Sequence, residues 1–142
     1  MENTHPTGRR GSRERLVISG IVFGLIAGLA KAVIFPAPTW NPPFIFPMLT
    51  AFFAAVFFWW ALVERSGKTT SGRGLVAGGL VGLATPPLMW LPYGLFLTAT
   101  LGRGIEPLLW APVYALLTLR AVSPFAMVLG AVVGAVLASV QR

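Results

Sequence analysis

Leu16–Phe35 reads LVISGIVFGLIAGLAKAVIF, twenty residues that hold a single charge, Lys31. As a helix rising 1.5 Å per residue, such a run reaches about 30 Å, the thickness of a bilayer's hydrocarbon layer. It is the first of several. Phe44–Val63 and Gly74–Leu97 follow, and a last stretch, Pro107–Val140, splits at Arg120 and Ser123-Pro124 into two apolar pieces. The runs are continuous rather than amphipathic, and 56% of the chain is hydrophobic against 11% charged. Soluble domains carry about 25% charged residues, and four acidic side chains cannot dress a soluble core of this length.

The pattern predicts an all-α, polytopic helical membrane protein. A basic cytoplasmic tail, residues 1–15, precedes a single transmembrane domain, residues 16–142, with helices over about 16–35, 44–63, 74–97, 105–122 and 124–140. Five crossings are expected and four are the alternative, because Pro107–Leu119 is short for a span. Ser123 before Pro124 reads as a helix N-cap and first helical position. Arg9, Arg10, Arg13 and Arg15, then Arg65, Lys68 and Arg73, mark the cytoplasmic side, whereas the uncharged Pro36–Pro43 linker fits the other. Ala30-Lys31-Ala32 imitates a signal-peptide cleavage motif, but the apolar run continues to Phe35, so an uncleaved first helix is expected.

Several chemistries are excluded or weakened. There is no Cys, and the only His is His5, in the tail. Gly67-Lys68-Thr69 matches the end of a phosphate-binding P-loop, but the first glycine of that motif would fall at Leu62, inside an apolar run rather than after a strand. The segment reads as a basic loop. The basic residues are spread over loops, so nucleic-acid binding is not expected. Nor are catalytic, cofactor or metal sites.

Small residues recur every fourth position: Gly20, Gly24 and Gly28, then Gly74, Gly78 and Gly82, then Ala126, Gly130, Gly134 and Ala138. Residues four apart share one helix face, and GxxxG-type stripes let helix backbones approach closely in lipid. With five crossings all three striped helices run the same way and can pack together, and their order, a glycine-striped helix, then an aromatic or Leu-rich one, then a glycine-striped helix again, suggests a weak internal repeat. The second run, with Phe44, Phe46, Phe52, Phe53, Phe57, Phe58, Trp59 and Trp60 around it, is expected at the lipid-facing periphery, with Trp40 and Trp59-Trp60 at the two interfaces.

Lys31, near the end of the first run, can snorkel, pair with Glu106, or face a ligand. Thr85-Pro86-Pro87 interrupts the third run, and each proline removes a helical hydrogen bond to the carbonyl four residues earlier. Such breaks line sites in some transporters and are plain kinks in other proteins.

Gly24-Leu25-Ile26-Ala27-Gly28, the following Lys31 and prolines, and the later Gly74-Leu75-Val76-Ala77-Gly78 resemble the YagU-like group of small inner-membrane proteins. The acidic residue and arginine that follow the prolines in that group are absent here. The resemblance implies an inner-membrane location and transfers no activity. The functional expectation is a small, non-catalytic inner-membrane protein acting as an interaction or accessory component or a homo-oligomer, its partners being the bilayer and itself or another membrane protein. The alternative is a small transporter or channel built on the broken third helix.

Overall fold

The computed structural model describes residues 7–34, 42–67, 69–102 and 104–141, and every structural statement below concerns these. His5, Trp40, most of the proline-rich linker, Lys68 and Arg142 lie outside them. The described residues form six α-helices and no strand: α1 (Thr7–Ile34), α2 (Ile45–Trp59), α3 (Ser71–Leu88), α4 (Trp90–Thr100), α5 (Glu106–Ala121) and α6 (Ser123–Val140). Four helical segments are long and apolar enough to cross a membrane: Gly11–Val33, Ile45–Glu64, Ser71–Thr100 and Ser123–Val140. Helix α1 starts at Thr7, so much of the stretch expected as a tail is helical.

Most large apolar side chains lie outside, while small residues line the helix contacts, with Phe23, Trp59 and Trp90 among the large side chains that are buried. On α1, Val17, Ile21, Leu25, Leu29 and Val33 form an exposed stripe, while Gly20, Gly24 and Gly28 face α2. A soluble fold hides its large apolar residues and shows polar ones; this surface is what lipid solvates.

The glycine stripe of α1 does not meet those of α3 and α6, as the sequence suggested. A Cβ on Gly24 would stand 3.0 Å from the Met48 carbonyl oxygen, and one on Gly20 would stand 2.8 Å from the Phe52 ring. Helix α2 is correspondingly not peripheral. It packs between α1 and α3 and buries Ala51, Ala55, Trp59 and Val63, four positions on one face. Phe44, Phe53, Phe57 and Trp60 take the exposed side. Its end is a π-helical turn, Trp60–Glu64, in which the Arg65 amide reaches back five residues to the Trp60 carbonyl (2.9 Å). Ser12 Oγ of α1 donates to Glu64 Oε2 there (2.8 Å), which ties α1 to that end of α2.

The loop after α2 is a turn between helices. Gly67 has φ +65°, a conformation that favours glycine, and Thr70 caps α3 by accepting from the Arg73 amide (3.4 Å). No strand precedes it, as a P-loop would require.

Helices α3 and α6 make the most extensive contact in the molecule. Gly74 lies against the Gly134 carbonyl, Gly78 against Gly130, and Gly82 against Ala126. Ala138 sits 2.5 Å from where a Gly74 Cβ would be. Numbers rise along one helix as they fall along the other, so the two run antiparallel. This corrects the parallel arrangement expected with five crossings. The reason is α5. It has 16 residues and packs against α4 rather than crossing beside α3 alone. With Val122 still accepting and donating helix-spaced bonds, α5 and α6 form one kinked arm. Helices α3 and α4 form the other, joined at Met89, whose backbone stays near helical at φ −63°, ψ −22°. The prolines therefore kink α3 without unwinding it. The result is one long hairpin, its arms ending at Thr100 and beginning again at Glu106, against which α2 and then α1 are laid.

Candidate functional site

The two kinks of the hairpin face each other. Pro87 cannot donate to the Leu83 carbonyl; instead Ser123 Oγ, fully buried, donates to it across the arms (3.1 Å). Thr118 Oγ1 accepts from Trp90 Nε1 (3.2 Å) and stands 2.9 Å from the Tyr114 carbonyl and 3.3 Å from that of Pro86, its single proton serving one of them. Trp90 stacks on Tyr114 at 4.7 Å between ring centres. Thr85 Oγ1 donates to the Val81 carbonyl on its own helix (2.7 Å). At the break, the carbonyl freed by Pro87 is thus taken by a hydroxyl of the neighbouring arm.

Ser123 was expected as an N-cap. It lies inside the first turn of α6, with Val122 in the cap position and no side-chain cap bond, and its hydroxyl serves α3 instead.

Beside this clamp lies a cleft of about 690 Å³, within the range of ligand pockets, about 300–1,000 Å³. Phe23, Ala27 and Lys31 of α1 form one wall, and Ala126, Gly130 and Val133 of α6 the other. Val81, Thr85 and Pro86 of α3 close its back. Helices α1 and α6 barely meet, so the cleft opens sideways between them, past the exposed rim residues Phe125 and Leu129. Lys31, in the last turn of α1, is the one charged side chain lining it among the described residues; a cation there also suits the helix dipole.

Of the candidate pathway residues, the structure brings Lys31, Thr85 and Pro86 together on this cleft. Pro87 and Glu106 do not line it. Glu106 is exposed in the first turn of α5, near the hairpin's tip, and does not pair with Lys31. Of the helix-packing residues, Gly82, Ala126 and Gly130 serve both the α3–α6 contact and the cleft wall, whereas Gly20, Gly24 and Gly28 serve α1–α2. The sequence reading missed Ser123, Thr118 and Trp90. Their signal was the polar break between the third run and Pro107: an antiparallel hairpin closing across it puts Thr118–Ser123 level with Leu83–Trp90. No cluster of three His, Cys, Asp or Glu side chains is found among the described residues.

Comparison with family models, with characterised proteins and with solved structures finds no match for the chain.

Proposed function

We propose that the protein is a small, non-catalytic integral membrane protein that works as an interaction or accessory component, engaging a membrane-resident partner from the side. The observation that carries this reading is the direction of the cleft. It opens between α1 and α6, on a surface of exposed Val, Leu and Phe. An opening through that surface serves something that already resides in lipid. In this reading four segments cross, with both hairpin arms longer than the bilayer needs, since a 30-residue arm spans about 45 Å. The arginines near the start of the chain and those around residues 65–73 support a cytoplasmic side for both, and the YagU-like resemblance supports an inner-membrane location. Self-association through glycine stripes loses weight, because α1, α3 and α6 spend theirs on contacts within the chain.

The test is gentle solubilisation of native membranes with the mass and composition of the tagged protein measured. A defined heteromeric assembly is expected; a protein that always runs alone would overturn the accessory role. The transporter or channel reading keeps one observation in its favour, the convergence of Lys31, Thr85 and Pro86 on one cavity. It requires water at Thr85. The chain has no native cysteine, so Thr85→Cys is a clean reporter. We expect it to resist a membrane-impermeant thiol reagent applied to intact membranes, because Thr85 is buried beside an apolar cleft. Rapid labelling from either side would favour transport.

A further inference from the structure

We infer that the cleft between α1 and α6 holds an acyl chain of an anionic phospholipid, with the phosphate against Lys31. This goes beyond the accessory role and rests only on the lateral opening of the cleft in the reading above; the occupant is a lipid, separate from any protein partner.

Three observations converge on this ligand. The first is the distribution of polarity. Thr85 and Thr118 line the cleft, yet their hydroxyls are engaged with backbone carbonyls and the Trp90 indole. What remains toward the cavity is mostly apolar, and the charged group among the described lining residues is the Lys31 ammonium, which carries three donors and so has capacity beyond any one protein contact. The second is where the charge lies. Lys31 is in the last turn of α1, at one end of the cleft, and Ala27 and Phe23 follow it one and two turns deeper along the same wall. An amphiphile with one anionic end and a long apolar tail matches that order: head at the helix end, tail running between α1 and α6 toward Val133. The third is access. The opening faces the hydrocarbon, so a phospholipid enters by lateral diffusion. A polar solute would have to cross exposed Phe125 and Leu129.

A helix from another protein is the competing occupant. The cation at the end of an otherwise apolar cleft favours the lipid, because it complements an anionic headgroup carried beside an apolar chain.

The experiment uses the full chain, purified until its intact mass shows no bound lipid, then incubated with phosphatidylglycerol or phosphatidylcholine and read by native mass spectrometry. A single-lipid adduct is expected, more abundant with phosphatidylglycerol than with phosphatidylcholine. Lys31→Gln should abolish the headgroup preference and leave the phosphatidylcholine adduct unchanged. Ala27→Trp, which fills the cleft, should remove both adducts. Since that variant risks misfolding, a photoreactive acyl-chain phosphatidylglycerol supplies an independent readout on the unaltered protein. Its crosslinks should fall on the cleft faces of α1 and α6 and not on the outward face of α2 around Phe53 and Phe57. Crosslinks scattered over all outer faces, or a headgroup preference that survives Lys31→Gln, overturn the proposal, as does an adduct of fatty-acid mass only. The two readings fail separately. A heteromeric assembly around a chain that binds no lipid leaves the accessory role standing and removes the lipid. A lone chain with the expected adducts does the reverse.

Discussion

Gly78→Leu is expected to separate α3 from α6 and cost at least about 3 kcal/mol, the upper end of what overpacking a core does. The reason is what the new side chain meets. A Cβ at Gly78 would fall on the Gly130 carbonyl and within 3.0 Å of the Gly134 Cα. Both are backbone, so no rotamer change relieves the overlap and the helices themselves must part. The same separation opens the back of the cleft, because Gly130 and Gly82 form part of its wall. Two neighbours calibrate the effect. At Gly79 the Cβ would sit 3.7 Å from the Ala131 methyl, ordinary contact, so Gly79→Ala should be neutral or gain up to about 1 kcal/mol from helix propensity. At Gly20 the obstacle is the Phe52 ring, which can turn aside, so Gly20→Ala should fall between. Reversible unfolding in mild detergent reads all three. Wild-type stability for Gly78→Leu would contradict the α3–α6 packing.

Ser123→Ala has the next largest expected effect, and its partner makes it decisive. The substitution leaves the Leu83 carbonyl without the Ser123 donor, and Pro87 has already denied it a helical one. Hydrogen bonds between helices in membrane proteins average about 0.6 kcal/mol and reach about 1.7; a site at 0% exposure with a proline-freed acceptor belongs at the upper end. Pro87→Ala restores the backbone N–H. In that background Ser123→Ala should cost much less, so the double-mutant cycle should show coupling of about 1 kcal/mol. Equal costs in both backgrounds would mean that the hydroxyl does not serve the kink.

The helices could be read from the sequence because a bilayer imposes length and apolarity on each span. The small-residue stripes were equally plain. What the stripes could not supply was a partner or a direction. Spacing of four identifies a face, and Gly20, Gly24 and Gly28 looked the same whether that face met α3 or Met48 and Phe52 of α2. The direction of α6 depended on whether α5 crosses alone or continues into α6, and that turns on the backbone of Val122, which composition does not encode. The burial of α2 was legible in the spacing by four of Ala51, Ala55, Trp59 and Val63, on the face away from the exposed rings Phe53, Phe57 and Trp60. In the cleft, Lys31 stood out as a charge in an apolar run, and Thr85 and Pro86 as a break. Their meeting required α1 and α3 to be placed side by side at the right depth, which only the α1–α2 and α2–α3 contacts determine.

Everything proposed for the cleft depends on α6 lying antiparallel to α3, and this has a direct consequence for topology. If both cross the membrane, they cross in opposite directions, so the end of α6 returns to the side from which α3 departs. A compartment-sensitive reporter fused after Arg142, compared with the same reporter ahead of the first helix, measures this in intact cells. Activity on the same side for both fusions is the predicted result. Activity on opposite sides would mean an odd number of crossings, parallel α3 and α6, and no cleft of the kind described.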